Sequence, residues 1–318
     1  MGLIGEIALQ FCQMALVVIL APAVVGLVRK MKARLQRRIG PPVLQPYRDL
    51  RRLFGKEVVL PENASWLFRV APYAIFALTW VAVALVPTFR TGLLFSWCGD
   101  LIAIVALLGA ARFLQALVAL DTGTSFGGIG SSREVMIASL AEPAMIMVVF
   151  TVALAAGSSQ LSTVADFMAH VGGLRVSFAM ALVALIIVAL AENARIPVDN
   201  PATHLELTMI HEAMLLEYSG RHLAMIEWAT ALKLLLYISV IGCIFFPFGL
   251  ITTGGGGPLA YVLAIAAYLF KVIVASLLLA SLETAIAKMR VFRVPNLTGI
   301  ALMLGLLGTL LLFVSGGL

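Results

Sequence analysis

Runs of about 20 apolar residues recur along this chain, and a polypeptide that carries several of them has few folds open to it. They fall at about 4–28, 69–90, 100–120, 134–156, 175–193, 228–250, 258–282 and 297–315. Each is long enough to cross a bilayer core of about 30 Å at 1.5 Å rise per residue. In hydrocarbon the backbone must satisfy its own hydrogen bonds, so a spanning segment is a helix or part of a closed barrel. These runs are far too long for barrel strands. The expected fold is an all-α polytopic membrane protein, a single transmembrane helical domain over 1–318 with about eight spans. Hydrophobic residues make up 62% of the chain and charged residues 12%, which excludes a soluble globular domain. No basic stretch precedes the first run, so it reads as a retained span and not a cleaved signal peptide.

The net charge of +6 is a topology signal, and no nucleic-acid partner is expected. The loop after the first run holds Arg29, Lys30, Lys32, Arg34, Arg37, Arg38, Arg48, Arg51, Arg52 and Lys56. Arg133, Arg195, Arg221, Lys288, Arg290 and Arg293 fall in alternate later loops, whereas the opposite set offers only Arg90 and Arg175. By the positive-inside rule the cytoplasmic loops are 29–68, 121–133, 194–227 and 284–296, both termini lie outside, and the long loops follow helices 1 and 5. Tyr47–Phe54 is expected as a short surface helix, with Leu50, Leu53 and Phe54 on one side and Arg48, Arg51 and Arg52 on the other. Anionic lipid contact accounts equally well for most of these arginines.

The largest polar segment is Glu192–His222. It carries Glu192, Asp199, Glu206, Glu212, Glu217, His204, His211, His222, Arg195 and Arg221. Asn200 followed by Pro201 is a helix start, and Ser219-Gly220 a plausible stop. A helix over about 201–218 would set Glu206 and Glu217 on one face, His204 and His211 on another, and Leu205, Met209 and Leu216 on an apolar stripe. A surface helix with solvated charges fits the same pattern.

Charges inside the apolar runs carry more weight, because an ionisable group in hydrocarbon costs several kcal/mol and normally faces the bundle interior. Arg112 lies inside the third run, Glu142 (followed by Pro143) inside the fourth, Lys271 in the seventh, and Glu192, Glu227 and Glu283 at run ends. Structural pairing, Arg112 with Glu142 for example, is one reading. A proton or ion path is the other, and the number of glutamates at the cytoplasmic side favours it. Cys12, Cys98 and Cys243 have no partner at metal-ligand spacing, so no metal site is expected. The segment 122–134 is Gly/Ser-rich without a Walker lysine and is expected as a tight loop packed on a neighbour. No internal repeat argues for an inverted-repeat transporter.

Several of these segments resemble a known family. Glu192-Asn193, Arg195 to Pro201, His204 to Thr208 and Glu217 to Gly220 are similar to the core loop of subunit 1 of respiratory complex I. Arg38 to Pro41, Leu44 to Pro46 and Lys56-Glu57 are similar to that family's first cytoplasmic loop. The string RIPVDNPATHLELTMIHEAMLLEYSG, with GRHLAMIEWA and LKLLLY after it, most resembles the membrane-anchor subunit of group 4 energy-converting [NiFe]-hydrogenases. Formate hydrogenlyase, hydrogenase-4, Ech and CO-linked enzymes form that group. The complex I branch has a longer segment where this chain has only Pro42-Val43, and lacks IPVDNPATH.

The resemblance implies a subunit of a hydrogenase complex, one that docks a hydrophilic arm and couples its electron transfer to movement of H⁺ or Na⁺. The alternative is the quinone-site subunit of an NADH:quinone oxidoreductase. The nickel–iron centre and iron–sulfur clusters are expected in partner subunits and no cofactor in this chain, with quinone binding unexpected. Those partners would be the hydrogenase large and small subunits, a ferredoxin-like iron–sulfur subunit and an antiporter-like membrane subunit, in a bacterial or archaeal cytoplasmic membrane. Candidates for the proton path are Glu142, Glu192, Glu206, Glu212, Glu217, Glu227, Glu283 and Lys271. Candidates for partner docking are Arg37, Arg38, Asp49, Arg133, Arg195, Asp199, His204 and His211.

Overall fold

The computed structural model describes residues 3–170, 175–199, 209–251 and 257–316. The apolar runs become helices. In chain order they are α1 (Leu3–Leu35), α2 (Gln45–Phe54), α3 (Trp66–Ala84), α4 (Leu101–Asp121) and α5 (Ser125–Ala156). They are followed by α6 (Leu161–His170), α7 (Val176–Glu192), α8 (Gly220–Ile244), α9 (Pro258–Ala285) and α10 (Val294–Gly316). Seven are long and apolar enough to cross a membrane, and α7 is a shorter apolar helix of 17 residues occupying the fifth expected span. Polar caps fix the starts. Ser65, Asp100 and Thr124 accept from the backbone N–H of Leu67, Ile102 and Gly127. Gly157, at φ +69°, closes α5 with a left-handed turn.

Helix packing here relies on close approach, since lipid offers no hydrophobic drive between apolar faces. α10 lies on α5 and α7 through two glycines. A Cβ on Gly305 would stand 3.0 Å from Met147 Cβ, and one on Gly308 3.1 Å from the Ser177 carbonyl. The hydroxyls of Thr151 and Thr309 meet at 2.8 Å in the same seam. The interior between α1, α4, α5, α7 and α8 is filled by Val17, Ala21, Ile104, Val148, Val152, Phe178, Leu185, Leu232 and Leu235.

The helix ends gather as alternating spans require. At one end, Lys32 of α1 meets Glu283 of α9, Ser65 before α3 donates to Asp121 of α4, and Val59 pairs with Ser219. At the other, Gln13 donates to the Val86 carbonyl and Ser159 to Asp100, and the backbone of Thr91 donates to Ile251. Most of the basic residues belong to the first end.

Three local expectations are corrected. Residues 122–134 are not a loop: α5 begins at Ser125, and only Thr122–Thr124 separate it from α4. Two of their glycines serve packing, because a Cβ on Gly127 would lie 2.3 Å from the Ala119 carbonyl and one on Gly130 3.0 Å from Ala213 Cβ. The helix expected over 201–218 is absent from its described part. Met209–Ser219 runs through turns and a single 3-10 turn at Glu212–Met214, and Ser219-Gly220 starts α8 instead of ending a helix. The reason is that side chains hold this backbone: Arg133 donates to the Met209 carbonyl at 2.8 Å and Asp199 accepts from the Ile210 N–H at 3.3 Å. Met209 is consequently buried while Leu216 is half exposed, so the apolar stripe does not form. Third, α6 stands where only a connection was expected, with Leu161, Val164, Ala165 and Met168 turned inward. The remainder of the expected helix, with Asn200, Pro201, His204 and Glu206, lies outside the described residues.

The surface helix at Tyr47–Phe54 is present as α2, extended by Gln45 and Pro46. It seats Leu50 and leaves Arg48, Arg51 and Arg52 exposed. It rests on α8, with Phe54 edge-on to Trp228 at 6.2 Å.

Candidate functional site

Arg112 is the centre of the charged interior. It sits mid-helix on α4, and its side chain is only 6% exposed. Its Nε lies 3.5 Å from Glu134 Oε1 and its Nη1 3.3 Å from Glu142 Oε1, both on α5, while Nη2 contacts Glu192 Oε1 at the end of α7. The other Glu192 oxygen lies 3.0 Å from Lys233 Nζ on α8. Four helices thus deliver three carboxylates and two cations to one place. With all five ionised the group carries one negative charge, so one added proton neutralises it.

The three carboxylates are not equivalent. The side chains of Glu134 and Glu192 are 9% and 4% exposed, but that of Glu142 is 43% exposed. Glu142 lies on the order of 26 Å along α5 from Ser125, deep in the membrane-spanning part. Its Oε1 lies beside Gly109 of α4, where a Cβ would stand at an ordinary contact distance of 3.6 Å. Next to the cluster is a small cavity lined by Arg112, Lys233, Thr79, Gln115, Thr230 and His211. It offers about 20 Å³ to a water-sized sphere, room for roughly one or two waters.

A second group of charges ties the loop between α7 and α8 in place. Glu283, at the end of α9, accepts from Lys32 at 3.1 Å and from Arg195 at 3.3 Å. Asp199 pairs with Lys288 at 2.9 Å, and the Met289 N–H donates to the Pro197 carbonyl. The Ile196–Pro197 peptide is cis. Burial pushes the Arg195 guanidinium below its ordinary range and the Glu283 charge opposes that shift. An aromatic group closes the far side of the loop. Tyr218 stacks on Phe68 at 4.1 Å and meets His222 edge-on, and burial raises the Tyr218 hydroxyl well above the ordinary phenol range.

The structure therefore sorts the candidate residues. Glu142 and Glu192 come together, joined by Glu134, Arg112 and Lys233. Glu283 belongs to the loop clamp. Glu227 is exposed on α8, within electrostatic range of Arg29, Asp49 and Arg52. Glu212 and Glu217 lie in the turns before α8. Lys271 is apart from all of these: it stands 3.5 Å from the Gly242 carbonyl and over the Phe248 ring, near the other end of α8. Of the docking candidates, Arg37 and Arg38 are exposed and Asp49 partly so, bonded to Gln45 and Arg52. Arg133, Arg195 and Asp199 face inward and hold the loop, and His211 reaches the cavity. Among the described residues no three His, Cys, Asp or Glu side chains are placed to hold a metal ion.

This fold and its charged interior define a polytopic helical membrane protein that carries a titratable cluster among its spans. A family model described as NADH dehydrogenase matches residues 7–314, and the chain belongs to that family. Formate hydrogenlyase subunit 4 of Escherichia coli (strain K12) is 33% identical over 279 residues, covering 87% of this chain and 89% of that protein. Hydrogenase-4 component C of the same organism is 34% identical over 237 residues, 74% of each chain. NADH-quinone oxidoreductase subunit 8 of Rhodothermus marinus is 28% identical over 232 residues, 69% of this chain and 66% of that protein. A chain in the structure of the membrane-bound sulfane sulfur reductase, an archaeal respiratory membrane complex, has the same fold. It superimposes with a TM-score of 0.80 over 96% of this chain and 99% of that one, at 20% identity.

Proposed function

We propose that this chain is the membrane-anchor subunit of a membrane-bound [NiFe]-hydrogenase complex and couples electron transfer in a hydrophilic arm to proton or Na⁺ movement. The observation that carries this reading is the match with formate hydrogenlyase subunit 4, 33% identical over 87% of this chain and 89% of that protein. The basic end, with the exposed arginines of α2 and Arg37 and Arg38, faces the cytoplasm and receives the arm. The nickel–iron centre and the iron–sulfur clusters belong to the arm's hydrogenase and ferredoxin-like subunits. An antiporter-like subunit lies beside this chain in the cytoplasmic membrane of a bacterium or archaeon. Within the chain, Arg112 and Lys233 hold the three carboxylates one charge short of neutral, so a proton is taken up and given back at small cost. Glu142, the most exposed of the three, is the member that exchanges with the neighbour.

The test is metal analysis of the complex purified through a tag on this chain. Stoichiometric nickel with several iron atoms is the expected result. Iron, flavin and quinone without nickel would move the reading to the quinone-site subunit of a respiratory dehydrogenase. Once nickel is found, Glu142→Gln is expected to keep it bound and to lower proton movement.

A further inference from the structure

Lys271 stands outside both charge groups described above. It lies on the order of 20 Å along α9 from Pro258, inside a helix long and apolar enough to span a membrane. Its ammonium has two contacts. One is the Gly242 carbonyl at 3.5 Å, the outer limit of a hydrogen bond, and the other is the Phe248 ring, whose centroid is 4.6 Å away. Neither carries a negative charge, and among the described residues no carboxylate pairs with this lysine. Asp166 of α6 is within electrostatic range of Cys243, but it does not pair with Lys271. An ammonium held away from water without a counter-charge costs several kcal/mol.

A small cavity adjoins the lysine, lined by Thr88 from the segment after α3, by Ser239, Gly242 and Cys243 of α8, and by Tyr268 and Lys271 of α9. It offers about 10 Å³ to a water-sized sphere, room for one water or one monatomic ion and too little for a tetrahedral oxyanion. Thr88 is 3% exposed, and its Oγ1 has no hydrogen-bond partner. The other two hydroxyls are already engaged. Ser239 donates to the Leu235 carbonyl at 2.8 Å, so in its 2.8 Å contact with Tyr268 the phenol donates and Ser239 accepts. Lys271 and Thr88 are therefore the donors left to meet an occupant. The chain after α8 closes over the place. Gly249, at φ +79°, brings its backbone so near α9 that a Cβ there would lie 2.5 Å from Ala267 Cβ, and Phe248 beside it covers the ammonium.

We propose that this cavity binds one monatomic anion of the halide class, chloride in the first place, held by the Lys271 ammonium and the Thr88 hydroxyl. A water in the same place would satisfy Thr88 and leave the ammonium uncompensated. A halide accepts from both and cancels the charge. The size of the cavity selects halides over sulfate and phosphate. Bound there, the anion ties α9 to the segment after α3. The site shares no residue with the cavity beside Arg112 and Lys233, so it stands independently of the coupling role proposed above.

The test is thermal unfolding of the detergent-solubilised complex, purified through a tag on this chain, with potassium chloride replacing potassium gluconate at constant ionic strength. The wild-type midpoint is expected to rise with chloride and to saturate, to respond likewise to bromide, and not to respond to sulfate. Thr88→Val is expected to raise the chloride concentration at half-effect by about fivefold or more, and Lys271→Met to abolish the response. If Lys271→Met does not assemble, the Thr88→Val titration is the deciding measurement. A wild-type midpoint that does not depend on halide would mean that water alone fills the cavity, and would overturn the site. A halide response that the variants keep unchanged would place the anion elsewhere in the complex and overturn it as well. Loss of a neighbouring membrane subunit from Lys271→Met, with no halide response in the wild type, would identify the counter-charge as a partner's carboxylate instead.

Discussion

Lys233 Nζ lies 3.0 Å from Glu192 Oε2, and the opposite oxygen of the same carboxylate faces Arg112. Glu192 is thus held between two cations from different helices, and loss of its charge would leave Lys233 without its carboxylate partner while Arg112 keeps Glu134 and Glu142. Removing one member of such a set is costly because the remaining charge stays buried, whereas removing two opposite charges together is not. Lys233→Met is therefore expected to destabilise the chain by about 3–5 kcal/mol, and the double variant Glu192→Gln with Lys233→Met by much less than the two singles together. Thermal unfolding of the detergent-solubilised complex checks this. Equal and additive losses in the singles and the double would show that the two residues do not act as a pair.

Glu283 supports a second prediction, about the loop and not the cluster. Its carboxylate is 3% exposed and bonds Lys32 of α1 and Arg195 of the loop at once. Glu283→Gln keeps the shape and removes the charge that both cations share. The loop should then leave its seat more often, with two consequences. Trypsin should cleave the complex faster at Arg195, and the hydrophilic arm should dissociate at lower salt. Unchanged cleavage at Arg195 alongside unchanged retention of the arm would show that the clamp is dispensable.

The spans were legible because length and hydrophobicity together leave no alternative to helices. The interior site was legible where a charge interrupts an apolar run, as Arg112 and Glu142 do, or ends one, as Glu192 does; Lys271 gave the same signal and lies elsewhere. Glu134 escaped because SFGGIGSSRE looks like a loop by composition. Gly127 and Gly130 let α5 pass within contact of Ala119 and Ala213, and that requirement belongs to tertiary packing. Lys233 was visible as a charge but not as the partner of Glu192, since the two are 41 positions apart and meet only through the α7–α8 contact. The turns at Met209–Ser219 were hidden for a related reason. Local spacing favours a helix there, and Arg133 and Asp199, both distant in sequence, take the backbone groups that a helix would need. α6 could have been found from the spacing of Leu161, Val164, Ala165 and Met168, but a ten-residue run between spans is easily taken for a connection.

Gly26 gives a prediction about the seat of α2. A Cβ there would stand 2.0 Å from the Val43 carbonyl oxygen and 3.1 Å from Pro46 Cδ. The nearest atoms are backbone, so a side chain cannot be accommodated by a rotamer change, and the first loop must move. Gly26→Ala is expected to lift α2 from α8, separating Phe54 from Trp228. Tryptophan emission from the Trp228 environment should shift on substitution, and the loss of stability should be on the order of 1–3 kcal/mol. An unshifted emission maximum and unchanged unfolding midpoint would mean that α1 and the loop have slack that the contact distance does not suggest.

The state of His211 has a consequence for stability that is independent of any transport assay. In the unfolded chain an imidazole takes up its proton near pH 6.5. In the fold, burial keeps it from doing so until the pH is lower. Between those two points the unfolded state binds more protons than the folded state, so stability falls as the pH falls. The slope attributable to one such group is at most about 1.4 kcal/mol per pH unit. Above about pH 7.5 both states are neutral and the contribution is constant. His211→Asn, which retains one donor and one acceptor but cannot titrate in this range, is expected to flatten the acid side of the stability profile and to leave the alkaline side parallel to that of the wild type. Unfolding midpoints measured from pH 5 to 8 on the wild-type and variant complexes decide it. If the two profiles stay parallel over the whole range, the folded ring protonates as easily as the unfolded one, and the hydrogen bonds from Gln115 and to Thr230 do not hold it neutral.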